Sequence, residues 1–214
     1  MNLTDIAKLI FPLALIPFTL YAVLSFGHDA GNAIIGFAFF IGMIKFAGDK
    51  ERKFMIILAF FASLFEGLNV ALGAYKYINA PTVPIWVGLG WGVLGIYLVK
   101  NLAIMKKING GLAYLLALLL YLALWGAAGL NVGLLIPVVF SIAAIYVLSL
   151  SSKFPASFFL YTSFIGIVIE FSGTSLGVWT YFDGFGGAIP VPLISLGMAY
   201  AAVLAFTLWL SKID

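Results

Sequence analysis

A short pattern that contains a glutamate occurs twice in this chain. It consists of a glutamate, a glycine seven residues later and a tyrosine four residues after the glycine, and the second copy lies 104 residues after the first. The residues are Glu66, Gly73 and Tyr77 in the first copy and Glu170, Gly177 and Tyr181 in the second. Both glutamates lie inside long apolar runs. Because a charged side chain at the centre of a membrane costs about 2.5 kcal/mol or more, carboxyl groups at such positions indicate a function.

The chemistry that suits buried carboxyl groups is the transfer of protons. Apolar surroundings and a second carboxyl nearby both favour the protonated form. We therefore expect at least one of Glu66 and Glu170 to be protonated at neutral pH and able to act as a general acid. The alternative is that each carboxyl only joins two helices by a hydrogen bond. Because a glutamate occurs at two equivalent positions, the functional interpretation is the better one.

The two glutamates are expected to play different roles. Glu170 lies 17 residues after Lys153, whereas Glu66 lies 13 residues after Lys53. Four residues make about one helical turn, so Glu170 is predicted to lie one turn deeper and to be the proton donor. Glu66 is then suited to positioning water or receiving a proton.

Polar and aromatic residues near the glutamates are candidate substrate-binding residues. Each glutamate is followed by an aromatic residue and, two positions later, a tyrosine. These residues are in part an expected interfacial aromatic belt, but their position also suits the lid of a site. Asn69 lies one helical turn from Glu66, and Thr174 is one of the polar residues that flank Glu170. His28 and Asp29 follow the first apolar run, where they either relay protons or are solvated loop residues. The candidates are Asn69, Tyr75, Tyr77, Trp179, Tyr181, Thr174, His28 and Asp29.

The composition is that of a membrane protein. Of 214 residues, 64% are apolar and 9% are charged, with a mean hydropathy of +1.17, whereas a soluble domain is about 45–50% apolar and about 25% charged. The basic residues separate apolar runs, so the pI near 9.0 does not indicate nucleic-acid binding. The absence of cysteine and the single histidine exclude thiolate and histidine-rich metal sites. We expect no metal and no organic cofactor.

Apolar runs of roughly 17–25 residues predict the transmembrane helices. Loop sequences such as GHDAGN, AGDKERK and DGFGGAIP separate the runs. The sequence thus predicts an all-α integral membrane protein with about eight transmembrane helices. These are at about 8–26, 31–47, 54–74, 83–101, 110–128, 132–150, 155–176 and 189–210.

The repeated pattern divides the eight helices into two sets of four. The dipeptide Val-Pro also recurs, at 83–84 and 191–192. Four helices are an even number, so the copies are predicted to run parallel and to be related by an axis along the membrane normal. We expect residues 1–107 and 108–214 to be two four-helix repeats that form one membrane domain.

The distribution of basic residues predicts the orientation. With eight helices, ten of the eleven lysines and arginines fall on the side that holds both termini, and only Lys76 falls on the other. Because cytoplasmic loops carry an excess of lysine and arginine, we expect a multi-pass protein of the cell membrane with cytoplasmic N- and C-termini.

The second copy of the pattern resembles a known family. Residues 170–181, with the pattern E-F-S-G-x3-G-x-W-x-Y, and the I-P-V-P-L of 189–193 are similar to the signature of the carotenoid biosynthesis membrane proteins that include the carotenoid hydratases. A more distant similarity is to the emopamil-binding, sterol-isomerase-like proteins. The resemblance implies hydration or isomerisation of an alkene in an isoprenoid or carotenoid-like lipid, without a cofactor, with Glu170 and Glu66 as the catalytic residues.

Three functions remain open from the sequence. The leading interpretation is an intramembrane enzyme whose partner is an apolar lipid substrate within the bilayer. The main rival is a secondary transporter, since parallel repeats and paired carboxylates in an outward-leaning cavity also occur in transporters. The third is a binding or assembly subunit with no chemistry. The sequence leaves the exact substrate and the oligomeric state open.

Overall fold

A computed structural model of the chain describes residues 2–73, 75–127 and 154–181, together with Ala143. This part is mostly helical, as the sequence predicts. Within it, four helices are long and apolar enough to cross a membrane. They confirm a membrane protein with α-helical spans. The predicted spans at 132–150 and 189–210 and the second Val-Pro dipeptide lie outside the described residues.

The first helix, α1, runs from Leu3 to Phe26. It begins with a reciprocal cap, in which the Asn2 side chain accepts a hydrogen bond from the Asp5 backbone N–H and the Asp5 carboxylate accepts one from Asn2. This arrangement satisfies backbone donors that the first turn leaves unpaired. α1 ends at Gly27, where φ of 81° favours glycine.

The next helices form an antiparallel group with α1. α2 spans His28–Ile41 and continues through a π-helical turn over Gly42–Phe46, and α3 spans Asp49–Ala71. α4 spans Ile85–Lys100, which makes it apolar but shorter than the four long helices. α4 packs against α2 and α3, while α1 packs against α2.

Glycines allow α4 to approach its neighbours closely. A Cβ atom at Gly88 would lie 1.9 Å from the Ser63 hydroxyl, and one at Gly95 would lie 2.4 Å from the Leu58 side chain. Small residues at such contacts are typical of helix packing in membranes, where close van der Waals contact stabilises the pair.

Three further helices complete the described part. α5 is a single turn over Leu102–Met105, α6 spans Gly110–Ala127, and α7 spans Ala156–Ser175. α7 packs against α1 and α6. Buried Phe158 of α7 belongs to the same apolar cluster as Leu58 of α3 and Trp91 of α4, so this cluster connects the two parts of the chain.

The helices that carry the glutamates end in the same way. After α3, Leu72 has φ/ψ of −79°/0° and Gly73 has φ of 74°; after α7, Leu176 has −82°/−8° and Gly177 has φ of 71°. A glycine with positive φ at this position is a frequent helix terminator. Each turn leads the chain back across the end of its own helix.

Two short strands follow these turns and pair with each other. β1 is Tyr75–Tyr77 and β2 is Trp179–Tyr181, and they form an antiparallel ribbon. Lys76 lies opposite Thr180, and each tyrosine of β1 lies opposite an aromatic residue of β2. The sequence predicts helices alone, so the ribbon is an addition to the expected fold. It brings together the ends of two helices that lie about a hundred residues apart in the chain.

Ion pairs lie at the opposite end of the helices from the ribbon. Lys100 at the end of α4 pairs with Glu51 at the start of α3 at 2.7 Å. Lys107 pairs with Asp5 at the start of α1 at 2.8 Å. Lys100 and Lys107 therefore lie at the same end of the described helices.

Candidate active site

Glu66 and Glu170 lie at equivalent depths in their helices. Each is five residues before the last residue of its helix, Ala71 in α3 and Ser175 in α7. Their side chains are 7% and 6% exposed. The expectation that Glu170 lies one turn deeper is therefore wrong. That expectation measured depth from the lysines that precede the two helices. These lysines are not equivalent positions, because α3 and α7 begin at different distances from their glutamates.

The Glu170 carboxylate accepts two hydrogen bonds on one oxygen. The Trp179 indole Nε1–H donates to Oε2 at 3.0 Å, and the Tyr181 hydroxyl donates to the same oxygen at 2.5 Å. Both donors come from β2, which the turn at Gly177 folds back over the end of α7. The carboxyl group is thus held by groups from its own helix-turn-strand unit.

A glycine in α7 makes room for one of these donors. The Trp179 ring lies directly against Gly173, where an added Cβ atom would come within 2.0 Å of the indole. Gly173 is two residues before the end of the helix and about one turn after Glu170, so it lies between β2 and the glutamate. The absence of a side chain at Gly173 therefore lets the indole reach the carboxylate.

Glu66 has weaker contacts with its own strand. The Tyr77 hydroxyl donates to Glu66 Oε2 at 3.4 Å, which is long for a hydrogen bond between oxygens. The Trp91 indole of α4 also hydrogen-bonds Glu66. Tyr75, which is in the place of Trp179, contacts the rings of Tyr77 and Tyr181 instead.

The tyrosine hydroxyls of the ribbon keep their protons. Burial, followed by the nearby carboxyl groups, raises the pKa of both Tyr77 and Tyr181 well above the usual range for tyrosine. Both phenols are therefore hydrogen-bond donors to the glutamates over the whole working range of pH.

A cavity of about 160 Å³ joins the two carboxyl groups. Both glutamates line it, and they lie close enough to interact electrostatically. Apart from Thr19, the rest of the wall is apolar or aromatic, with three tryptophans among the lining residues. The cavity has side chains from α1, α4 and α7 on its sides and from the ribbon at one end. Among the lining residues are Phe11, Glu66, Trp86, Gly90, Tyr97 and Glu170.

His28 is a structural link rather than a solvated loop residue. Its Nδ1 accepts a hydrogen bond from the Trp86 indole at 3.3 Å, and its Nε2 lies 2.7 Å from the Ile78 carbonyl. Because an indole N–H can only donate, Nδ1 must be unprotonated, and Nε2 then carries the proton. His28 thus holds a tryptophan of the cavity wall and the end of β1. Asp29 is exposed in the first turn of α2.

Two of the predicted substrate-binding residues make hydrogen bonds within their own helices. The Asn69 side chain donates to the Phe65 carbonyl at 2.9 Å, and the Thr174 hydroxyl donates to the Glu170 carbonyl at 2.7 Å. Neither residue is among those that line the cavity. Tyr75, Tyr77 and Trp179 do line it, and Tyr181 contacts Glu170 directly.

The sequence analysis did not identify the part of the site that α4 provides. Trp86 and Trp91 both line the cavity and bind His28 and Glu66 respectively. Aromatic residues at this spacing are common in apolar helices, so they gave no signal of a site. The sequence signal available was the Val83-Pro84 dipeptide, which precedes α4 at the end of the short segment that follows β1.

Known proteins offer no template for the site. No family model matches the chain, no curated protein matches it, and no solved structure matches it. Within residues 2–73, 75–127 and 154–181, no three histidine, aspartate or glutamate side chains gather in a way that suits a metal ion. The fold and the site define the class of protein directly: a helical membrane protein with two buried carboxyl groups at one apolar cavity.

Proposed function

We propose that the protein is an intramembrane enzyme that uses Glu66 and Glu170 for acid–base chemistry on an alkene of an isoprenoid or carotenoid-like lipid. The observation that carries the proposal is that both buried carboxyl groups line one apolar cavity of about 160 Å³. Such a cavity admits an apolar substrate. The paired carboxyl groups supply both a proton donor and a proton acceptor to it.

The reaction begins with protonation of the double bond. The π electrons of the alkene take the proton of one carboxyl group, so that a C–H bond forms, the O–H bond breaks and a tertiary carbocation remains. The faces of the tryptophans in the wall stabilise this cation. Either of two second steps completes the reaction. Either water adds to the cation and gives a proton to the second carboxylate, or the cation loses a neighbouring proton to it and a new double bond forms.

The hydrogen bonds favour Glu66 as the donor. Donors directed at a carboxylate stabilise its ionised form. Glu170 accepts two close hydrogen bonds from its own strand, whereas Glu66 has the Trp91 indole and only a long contact with Tyr77. The assignment based on depth made Glu170 the proton donor instead. Its premise does not hold, because both glutamates lie five residues before the ends of their helices. After each turnover, transfer of a proton from Glu170 to Glu66 restores the starting state.

Replacement of each glutamate tests the proposal. Loss of a general acid or base costs on the order of 10²–10⁴ in rate, so Glu66→Gln and Glu170→Gln should each abolish conversion of an isoprenoid substrate in membranes that contain the protein. Glu51→Gln, in the same helix as Glu66 but at the ion-paired end, is the matched control and should keep activity. Full activity in either site variant would overturn the catalytic role. Solute movement without product would favour the transporter.

Infrared spectroscopy separates the two roles without an activity assay. The C=O stretch of a protonated carboxyl group at neutral pH should disappear in Glu66→Gln and remain in Glu170→Gln. The reverse result would return the donor role to Glu170, and equal loss in both would show that the proton is shared.

We also propose the complete architecture that the pattern predicts. Eight helices would form two parallel repeats, 1–107 and 108–214, in the cell membrane with both termini cytoplasmic. The matching helix ends after Ala71 and Ser175 and the pairing of Lys76 with Thr180, 104 residues later, support it. The gathering of basic residues opposite the ribbon supports the orientation.

Cysteine labelling tests this topology, because the chain has no cysteine of its own. We expect single cysteines at positions 30 and 185 to react with a membrane-impermeant reagent from outside the cell. Cysteines at positions 50 and 213 should react only after the membrane is opened. The reverse pattern would overturn the orientation, and unequal exposure of 50 and 213 would overturn the even number of spans.

A further inference from the structure

The cavity is long and has the carboxyl groups at one end. Its α4 wall extends from Trp86 to Tyr97, eleven residues that correspond to about 16 Å along the helix. Trp86 is at the ribbon end, where His28 holds it beside Tyr77. Tyr97 is at the other end, where its hydroxyl binds the Lys8 carbonyl near the start of α1.

The cavity opens to the surface near Tyr97. Phe11 of α1 lines the cavity and is also 59% exposed, so the wall reaches the surface at this residue. At the ribbon end, the lining residues Leu20 and Trp86 are buried. Phe11 lies within a helix that is long and apolar enough to cross a membrane. The opening therefore faces the hydrocarbon of the bilayer rather than water.

Hydrogen bonds fix α1 beside this opening. Pro12 has no N–H, so it leaves the Lys8 carbonyl without its partner in the helix. The Tyr97 hydroxyl donates to that carbonyl, and the Tyr161 hydroxyl of α7 donates to the next one, Leu9. Because lipid cannot pair a free backbone group, the Tyr97 hydroxyl satisfies the carbonyl that Pro12 leaves open, and the two phenols together hold α1 beside α4 and α7.

We propose that an apolar chain enters this cavity from the bilayer, end first, between α1 and α4, and that Phe11 determines which chain ends are admitted. The volume sets the limit on what enters. An apolar cavity of about 150 Å³ takes up a molecule of benzene, so a cavity of about 160 Å³ along a wall of about 16 Å has room for the end of one slender chain. The rest of the chain remains in the opening and the bilayer. A rigid fused-ring lipid does not fit.

The proposal rests on the proposed function only in one respect, that the chain end carries the reactive alkene. Entry itself is a binding event and can be measured separately. Trp86, Trp91 and Trp179 line the cavity, so a brominated chain that enters it should quench their fluorescence. The probes are 1-bromohexadecane as a linear chain and a brominated sterol as a rigid one, each titrated into vesicles that contain the full-length protein.

A side chain at Gly90 should block the path. Gly90 lines the cavity, and an added Cβ atom there meets only the Ile35 side chain at 3.8 Å, which is an ordinary contact. Gly90→Leu should therefore fold and should lose the saturable part of the quenching by 1-bromohexadecane. Gly36→Leu is the matched control, since Gly36 has open space around it and does not line the cavity. Unchanged saturable quenching in Gly90→Leu would overturn the proposal.

Removal of the Phe11 ring tests its role in selection. The parent should show saturable quenching by 1-bromohexadecane and only unsaturable bilayer quenching by the sterol. Phe11→Ala adds the space of the ring to the cavity and its opening, so this variant should admit the sterol as well. Phe18→Ala is the control, because Phe18 is on the same helix and 61% exposed but does not line the cavity. Equal probe selectivity in Phe11→Ala and the parent would overturn the role of Phe11. Quenching without any turnover would retain chain entry and reject the enzyme.

Discussion

The molecule contains two versions of one local structure, which we call the Glu66 site (Glu66, Tyr75 and Tyr77) and the Glu170 site (Glu170, Trp179 and Tyr181). In both, a glutamate precedes the helix end by five residues, a glycine with φ near 70° turns the chain, and a three-residue strand returns over the helix. The backbones agree, but the hydrogen bonds differ. The Glu170 site directs two close donors at its carboxylate, whereas the strand of the Glu66 site provides one long contact.

Two side-chain differences account for the unequal hydrogen bonding of the two carboxyl groups. Trp179 corresponds to Tyr75, and Gly173 corresponds to Asn69, which lies 104 residues earlier. Gly173 leaves space for the indole to reach the carboxylate, while the Asn69 amide is bonded to its own helix. A symmetric backbone with unequal donors thus produces two carboxyl groups with different preferences for the proton. This inequality is what an acid–base pair needs, since one member must give a proton while the other accepts one.

The largest effect is expected from removing the closest donor of the Glu170 site. Loss of a hydrogen bond to a charged group costs about 1.5–3 kcal/mol, so Tyr181→Phe should lower turnover roughly 10- to 100-fold. The ring and its packing against Tyr75 are retained, so folding should be unaffected. Conversion of the isoprenoid substrate per unit of folded protein is the measurement.

Tyr77→Phe is the matched change in the Glu66 site. Its contact with the carboxylate is 3.4 Å long, so we expect turnover to change about threefold or less. Equal losses in the two variants would show that the sites act symmetrically and would contradict the division of roles. A larger loss in Tyr77→Phe would reverse it.

Much of the fold was predictable from the chain alone. Long apolar runs are sufficient to locate membrane helices, because a helix must satisfy its own backbone groups in lipid. The helices α1, α2, α3 and α7 occur where such runs are found. The equivalence of Glu66 and Glu170 was also visible, because the glycine that ends each helix and the tyrosine that follows keep a fixed spacing from the glutamate.

The parts of the site that depend on tertiary contacts were not predictable. Nothing in the sequence places His28 against Trp86, which lies 58 residues away. The depth of Glu170 was wrongly predicted because it was counted from the lysines that precede the helices. The ends of the two helices are the reference that both glutamates share. Asn69 and Thr174 looked like partners of the glutamates by spacing. Their side chains instead bind backbone carbonyls one turn earlier, a local alternative that spacing cannot exclude.

A smaller effect than that of Tyr181→Phe is expected at Gly173, where a single methyl group should make the Glu170 site resemble the Glu66 site. In Gly173→Ala the new Cβ atom would come within 2.0 Å of the Trp179 indole, so the indole must move and its hydrogen bond to Glu170 must lengthen. Tyr181 continues to donate, so the loss of turnover should be about five- to tenfold, less than in Tyr181→Phe. Crowding costs about 1–3 kcal/mol of stability, against which alanine in a helix recovers about 0.5–1 kcal/mol.

Gly67→Ala separates crowding at Trp179 from the general effect of alanine in a helix. Gly67 lies in α3 directly after Glu66, and an added Cβ atom there meets nothing within 4 Å. This variant should be as active as the parent and slightly more stable to heat. In Gly173→Ala, a weaker bond between Trp179 and Glu170 should also increase the infrared signal of protonated carboxyl, because the ionised form of Glu170 loses a donor. A purely structural role for Gly173 predicts lower thermal stability with an unchanged infrared signal. That result would remove Trp179 from the explanation of why the two sites differ.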